Sequence, residues 1–66
     1  MDGVTKRLLE FVGNEGYIVG IGFEEGRPFV TAYDLKTEHR YVFRAETVYE
    51  AALELANSVG VGFEKG

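Results

Sequence analysis

The 66-residue sequence predicts an α+β fold of order α-β-β-β-α, with two helices packed on one face of a three-stranded antiparallel meander. Three observations predict it: apolar residues at helical spacing near each end, alternation of bulky residues between positions 17 and 45, and two tight-turn sequences inside that stretch. A single domain is expected, because the length is near the lower limit for independent folding. The predicted boundaries are helix 3–14, strands 17–24, 28–34 and 39–45, helix 47–59, and a tail 60–66.

The first helix is predicted from a stripe of apolar side chains. Asp2 is the expected N-cap, because its carboxylate can accept the free N–H groups of the first turn. Gly13 and Gly16 bracket the expected helix end. The stripe consists of Val4, Leu8, Phe11 and Val12.

The first strand, which begins at Tyr17, is rich in β-branched and aromatic residues. Glu24-Glu25-Gly26-Arg27 then predicts a two-residue hairpin loop in which Gly26 takes a positive φ. Pro28 has no N–H to donate, so it fits a strand start or an edge position. Phe29 to Tyr33 form the centre of the second strand.

The second turn is predicted at Asp34-Leu35-Lys36-Thr37-Glu38-His39, a four-residue loop closed by Asp34 and His39. Glu38 stands where glycine is usual in such loops. If Glu38 is left-handed, the conformation costs about 1 kcal/mol. The third strand follows from Arg40.

The second helix carries the strongest local signal. Thr47 followed three residues later by Glu50 is a capping box, in which each side chain accepts backbone N–H groups of the first turn. The predicted core stripe is Val48, Ala51, Ala52, Leu55 and Val59.

The tail repeats part of the first strand. Residues 59–66 match residues 19–26 at six of eight positions. Two interpretations stay open: coincidence in a chain rich in Gly and Val, or a short C-terminal strand along a sheet edge.

The two turns together predict the strand register. If Glu24 pairs with Arg27, and Asp34 with His39, both turns assign the same residues to the face that the helices cover. That inner face contains Tyr17, Val19, Ile21, Phe23, Val30, Ala32, Tyr41, Phe43 and Ala45. The outer face contains Ile18, Gly20, Gly22, Phe29, Thr31, Tyr33, Arg40, Val42 and Arg44.

The outer face is more apolar than alternation predicts for a strand face that meets water. We expect Phe29 to cover Gly22 across the strands, and the stems of Arg40 and Arg44 to lie over aromatic rings. Either the apolar residues are scattered surface residues, which is normal, or the face is an interface. The candidate interface residues are Ile18, Phe29, Thr31, Tyr33, Arg40, Val42 and Arg44.

The composition argues against several classes of function. A net charge of −4 disfavours nonspecific binding to nucleic acid, and the absence of cysteine excludes disulfides and thiolate metal sites. His39, the only histidine, is expected in a surface turn, with only Asp34 and Glu38 near it. No catalytic set, metal site, cofactor or small-molecule substrate is predicted, so we do not expect an enzyme. With no apolar segment at its start and none long enough to span a membrane, the chain is expected in the cytoplasm.

The element order resembles the double-stranded-RNA-binding domain fold, over residues 1–59. That family docks through the first helix, the loop after the first strand and a basic cluster at the start of the second helix. Here the corresponding loop begins Glu24-Glu25, and the second helix begins at Glu46-Thr47. Both acidic positions would repel phosphate, so the resemblance implies the fold without RNA binding. Residues 41–56 also loosely resemble the ends of small uncharacterised bacterial or phage proteins.

The resulting hypothesis is a small interaction module, either a homodimer or bound to another protein, that uses the outer sheet face or an edge strand. The alternative is nucleic-acid binding through Tyr33, Arg40 and Arg44, with bases stacked on aromatic rings.

Overall fold

The structure, a computed structural model, describes residues 2–60. It confirms the predicted order α-β-β-β-α and the α+β class. The elements are α1 (Gly3–Asn14), β1 (Tyr17–Glu24), β2 (Arg27–Asp34), β3 (Arg40–Arg44) and α2 (Val48–Ser58). The strands form one antiparallel sheet in the order β1-β2-β3. Residues 61–66, for which a C-terminal strand stays one of two open interpretations, lie outside the described residues.

Both helices begin where side chains can satisfy their first N–H groups. The Asp2 carboxylate accepts the N–H of Thr5 at 2.7 Å, and the Thr47 hydroxyl accepts that of Glu50 at 3.1 Å. At its end, α1 leaves the helical conformation through Glu15 and Gly16, with Gly16 at φ 100°. The two predicted N-caps are therefore confirmed.

The predicted register is confirmed on both sides of β2. Val19 lies opposite Ala32 and Ile21 opposite Val30, while Tyr41 lies opposite Ala32 and Phe43 opposite Val30. Because side chains alternate along a strand, this register assigns the inner and outer faces as predicted.

The two turns have the predicted loop lengths, and each contains a left-handed glutamate. Glu25 has a φ of 53° and Gly26 a φ of 80°, as a two-residue turn of the primed type requires. Glu38 has a φ of 64°. In the second loop the N–H of Asp34 donates to the His39 carbonyl at 2.8 Å. The left-handed Glu25 was not predicted, although a two-residue turn of this type requires a positive φ at both central residues.

The core lies between the helices and the middle of the sheet. α2 packs against β2 and β3, and α1 packs against β1 and α2. Small side chains on α2 allow close approach to the sheet. The buried residues of this core are Thr5, Leu8, Val12, Val30, Ala32, Ala51, Ala52, Leu55 and Ala56, and Pro28 at the start of β2 is buried as well.

The prediction that the helices cover the whole inner face is wrong at one end of β1. Ile21 remains 39% exposed and Phe23 69% exposed. The reason is where the helices pack: α2 lies against β2 and β3, and α1 is the helix that packs on β1. Ile21 and Phe23 lie near the starts of both helices, where they line an open cavity with Asp2, Thr5 and Tyr49.

Candidate functional site: the outer face and the edges of the sheet

Within residues 2–60, no helix packs against the outer face of the sheet. Both described helices pack on the opposite side. Ile18 is 58% exposed and Val42 45% exposed, while Phe29, Thr31 and Tyr33 on the central strand are partly buried by their neighbours. The structure thus brings the predicted interface residues together on one open surface.

Two arginines on β3 lie against aromatic rings of β2. The guanidinium carbon of Arg40 lies 5.7 Å from the centre of the Tyr33 ring, and that of Arg44 lies 5.3 Å from the centre of the Phe29 ring. Both pairs are direct cross-strand neighbours. Such cation–π contacts hold the rings and the cations in one layer.

The two arginines differ in their acidic partners. Arg44 donates a hydrogen bond to the Glu24 carboxylate and forms a salt bridge with it. Within residues 2–60, Arg40 has no carboxylate within salt-bridge distance. The outer face therefore presents one cation that an acidic group of a partner can approach.

The position of the Phe29 ring explains why residue 22 is a glycine. A Cβ added to Gly22 would lie 2.4 Å from the far end of the Phe29 ring. The ring lies flat over the Gly22 backbone, as an aromatic residue does when it covers a glycine on the neighbouring strand. This contact confirms the predicted pairing of the two residues and keeps this corner of the face flat.

The hydrogen-bonding direction of each strand follows from two contacts next to the turns. Leu35 donates its N–H to the Gly16 carbonyl at 3.5 Å, and Asp34 donates to His39 at 2.8 Å. Hydrogen-bonded pairs alternate with non-bonded pairs in an antiparallel ladder. On β1, residues 18, 20, 22 and 24 therefore bond β2, and the N–H and C=O groups of residues 17, 19, 21 and 23 point to the free edge. On β3, the free-edge groups belong to residues 40, 42 and 44.

The alternation of hydrogen-bonded and non-bonded pairs also explains why a proline is tolerated at position 28. The Pro28 carbonyl accepts the N–H of Ala45 at 3.4 Å, so the backbone groups of this residue point towards β3. The missing N–H would have to meet the carbonyl of Ala45, which lies beyond the end of β3 at Arg44. Proline is tolerated here because it lies at the start of β2, as predicted.

A second exposed apolar region, at the end of β1 next to its turn, was not predicted from the sequence. Ile21 and Phe23 lie near the starts of both helices, where Asp2, Thr5 and Tyr49 line the same shallow cavity. No local sequence signal could have found this region, because it depends on where the two helices pack against the sheet.

Hydrogen bonding shifts the pKa of Asp34, and burial shifts that of Tyr17. The Lys36 backbone N–H, which donates to Asp34, lowers the pKa of the Asp34 carboxyl below its usual range. Burial is the main cause that raises the pKa of Tyr17. His39 is exposed in the loop, and its ring meets that of Tyr41 edge-on with centres 4.6 Å apart.

The part of the chain that the structure describes contains neither a candidate metal site nor a candidate membrane span. Residues 2–60 contain no group of three or more His, Asp or Glu side chains that could hold a metal ion. Neither described helix combines the length and the apolar character needed to cross a membrane.

No family model, curated protein or solved structure matches this chain. The order α-β-β-β-α is compatible with the double-stranded-RNA-binding topology, and the resemblance extends no further than that order.

Proposed function

We propose that this chain is a protein-interaction module, and that the outer face of its sheet binds a segment of another protein that carries apolar side chains and at least one carboxylate. The observation that carries the proposal is the open apolar layer of Ile18 and Val42 beside Arg40. Apolar area supplies affinity, and the arginine supplies orientation and selectivity.

Charge favours a different protein over face-to-face pairing of two copies. Two outer faces packed against each other would bring together two copies of Arg40 and two of Arg44. Only Arg44 has a carboxylate partner of its own, and removing like charges from water is costly. An acidic, apolar segment would avoid this repulsion and provide a partner for Arg40.

A selection from a random peptide library tests the proposal. We expect enriched peptides to combine aliphatic or aromatic residues with Asp or Glu, and to shift the amide signals of β2 and β3 residues in NMR spectra. Val42→Glu should weaken their binding strongly, and Arg40→Glu should reverse the preference for acidic residues. Glu54→Gln, at an exposed position of α2, is the matched control. Peptides that bind wild type and Val42→Glu equally well would reject the outer face as the binding surface.

Nucleic-acid binding through Tyr33, Arg40 and Arg44 is the second candidate. The contacts of Arg40 with Tyr33 and of Arg44 with Phe29 favour it, because bases stack on such arginine–aromatic layers. The salt bridge of Arg44 to Glu24 and the net charge of −4 oppose it. A titration with short single-stranded and duplex RNA at low salt discriminates: the nucleic-acid candidate requires signal shifts at Tyr33 and Arg40, whereas the protein-binding proposal expects none.

A further inference from the structure

We propose that two copies of this chain associate through β1, edge to edge and antiparallel, to form a continuous six-stranded sheet. This inference concerns a different surface from the outer face and stands independently of the proposed function. The first observation is the unpaired edge itself. Val19, Ile21 and Phe23 direct backbone N–H and C=O groups away from β2, and among residues 2–60 no strand other than β2 pairs with β1. Another strand satisfies such groups best.

The second observation is that the edge sequence is complementary to itself. Tyr17 to Phe23 contains no charged residue, and its midpoint is Gly20. An antiparallel two-fold centred on Gly20 pairs Val19 with Ile21 of the partner subunit, and Tyr17 with Phe23 of the partner subunit. The whole uncharged run is then paired, and each residue keeps its own face, because odd positions meet odd positions.

The third observation is charge on the helix beside the edge. A shallow groove along β1 is lined by Lys6, Leu9 and Glu10 of α1 together with residues 19–21. α1 runs antiparallel to β1, since Asp2 and Thr5 lie near Phe23 and the helix ends three residues before Tyr17.

Because α1 and β1 run antiparallel along one groove, their rises can be compared directly. The four-residue step from Lys6 to Glu10 covers about 6 Å, and the two-residue step from Ile21 to Val19 covers about 6.6 Å. Lys6 therefore lies level with Ile21, and Glu10 lies level with Val19.

This arrangement selects the register. With the two-fold at Gly20, Lys6 of each copy faces Glu10 of the partner subunit, and Leu9 lies between the two ion pairs. A two-fold at Ile21 would instead oppose the two Lys6 side chains. Charge complementarity and the midpoint of the uncharged run thus agree on one register, and they identify the occupant of this edge as a second copy of the same chain.

Charge reversal tests the proposal without touching the core, because Lys6 and Glu10 are both exposed. We expect wild type to sediment as a concentration-dependent dimer. Lys6→Glu and Glu10→Lys should each weaken the dimer roughly tenfold or more, because each introduces two like-charge contacts. Mixing the two variants should restore association as a heterodimer. The charge pair within each helix is unchanged by mixing, so only a contact between copies explains recovery.

A proline pair tests the edge. The N–H groups of Ile21 and Val42 both point to free edges, on β1 and β3 respectively, so neither proline removes a hydrogen bond of the sheet. Ile21→Pro should abolish the dimer, and Val42→Pro should leave it intact, with circular dichroism as the check on folding. If Ile21→Pro does not fold, the charge-reversal mixture still decides the matter.

Three results would overturn the proposal: a wild type that stays monomeric at millimolar concentration, variants that do not recover on mixing, or loss of the dimer in Val42→Pro with retention in a folded Ile21→Pro.

Phe63→Glu examines residues 59–66, whose sequence matches β1, as a rival occupant. Association unchanged in Phe63→Glu agrees with β1 pairing to β1, and its loss would contradict that pairing. Val42→Glu separates the two proposals, since it should impair peptide binding at the outer face and spare the dimer.

Discussion

The two edges of the sheet differ in almost every property that controls strand pairing. β3 is five residues long, and arginine occupies both of its ends. β1 is eight residues long and has no charge before Glu24. Short length and edge charges protect a strand against pairing with another chain, so β3 is protected and β1 is not. The sheet therefore has one edge, β3, that its length and charge protect, and one edge, β1, that can pair with another strand.

The difference extends to the two faces that flank each edge. Beside β3 the outer face carries Arg40 and Arg44, which lie over aromatic rings. Beside β1 the same face carries Ile18 and two glycines, with no cation. The open apolar surface and the open edge are therefore adjacent, and pairing at β1 would join the outer faces of two copies into one larger surface.

The largest expected effect tests the hydrogen-bond alternation of β1. Gly20→Pro should destabilise the protein by about 3 kcal/mol or more, because it removes a hydrogen bond between β1 and β2 and places a ring near Thr31. Ile21→Pro, one residue later, should destabilise it far less. Urea denaturation of both monomeric variants at low concentration gives the two free energies of unfolding. Equal losses would mean that the assigned bonding direction of β1 is wrong.

The next effect concerns the flat corner where Phe29 lies over Gly22. Gly22→Ala should cost roughly 1–3 kcal/mol, because the new methyl group would lie 2.4 Å from the ring. Gly20→Ala is the matched control: its Cβ would meet the Thr31 hydroxyl at 3.0 Å, a smaller clash. Phe29→Leu should relieve most of the penalty in a double variant. A Gly22→Ala protein as stable as wild type would show that the ring moves freely.

A smaller effect of opposite sign is expected at the two turns. Glu25→Asn should stabilise the β1–β2 hairpin, because asparagine tolerates the left-handed conformation found at φ 53°. Glu38→Gly should be neutral or stabilise the β2–β3 loop by up to about 1 kcal/mol. Melting temperatures compare the two hairpins directly. A clear fall in Glu38→Gly would reject the loop geometry beside β3.

The smallest effect is expected in acid, where two carboxylates hold backbone N–H groups, one at the start of α1 and one in the β2–β3 loop. The Thr5 backbone N–H, which donates to Asp2, lowers the pKa of that carboxyl below its usual range. Asp34, beside β3, is lowered by the Lys36 N–H. Because each folded-state pKa is depressed, the stabilisation is complete above the unfolded-state value and is lost as pH falls through the folded-state value.

Acidification below about pH 4 should therefore weaken the start of α1 and the β2–β3 loop. Asp2→Asn should make the acid limb of the stability curve shallower, since asparagine caps a helix without titrating. Hydrogen exchange should place that change in α1, and should place the change in Asp34→Asn in the β2–β3 loop. An acid limb identical to wild type in both variants would assign acid sensitivity to other carboxylates.

Local signals were enough to predict the elements, their caps and the register. Alternating bulky residues from Tyr17 onward and two recognisable turns specify which residues oppose one another, because a two-residue loop allows only one alignment of its flanking strands. The predicted register also puts Phe29 opposite Gly22 and the candidate interface residues on one face. Each of these conclusions depends on neighbours in sequence or across a single turn.

Tertiary structure decided which residues of the inner face the helices cover, and what lies beside the free edge of β1. The alternation at Ile21 and Phe23 is the same as at Val30 and Ala32, yet the first two remain exposed and the last two are buried. The difference arises because α2 lies over β2 and β3 whereas α1 is the helix that packs on the edge strand β1, a fact of docking that no local pattern contains. For the same reason the groove beside β1, with Lys6 and Glu10 on its rim, exists only once α1 has packed against the sheet.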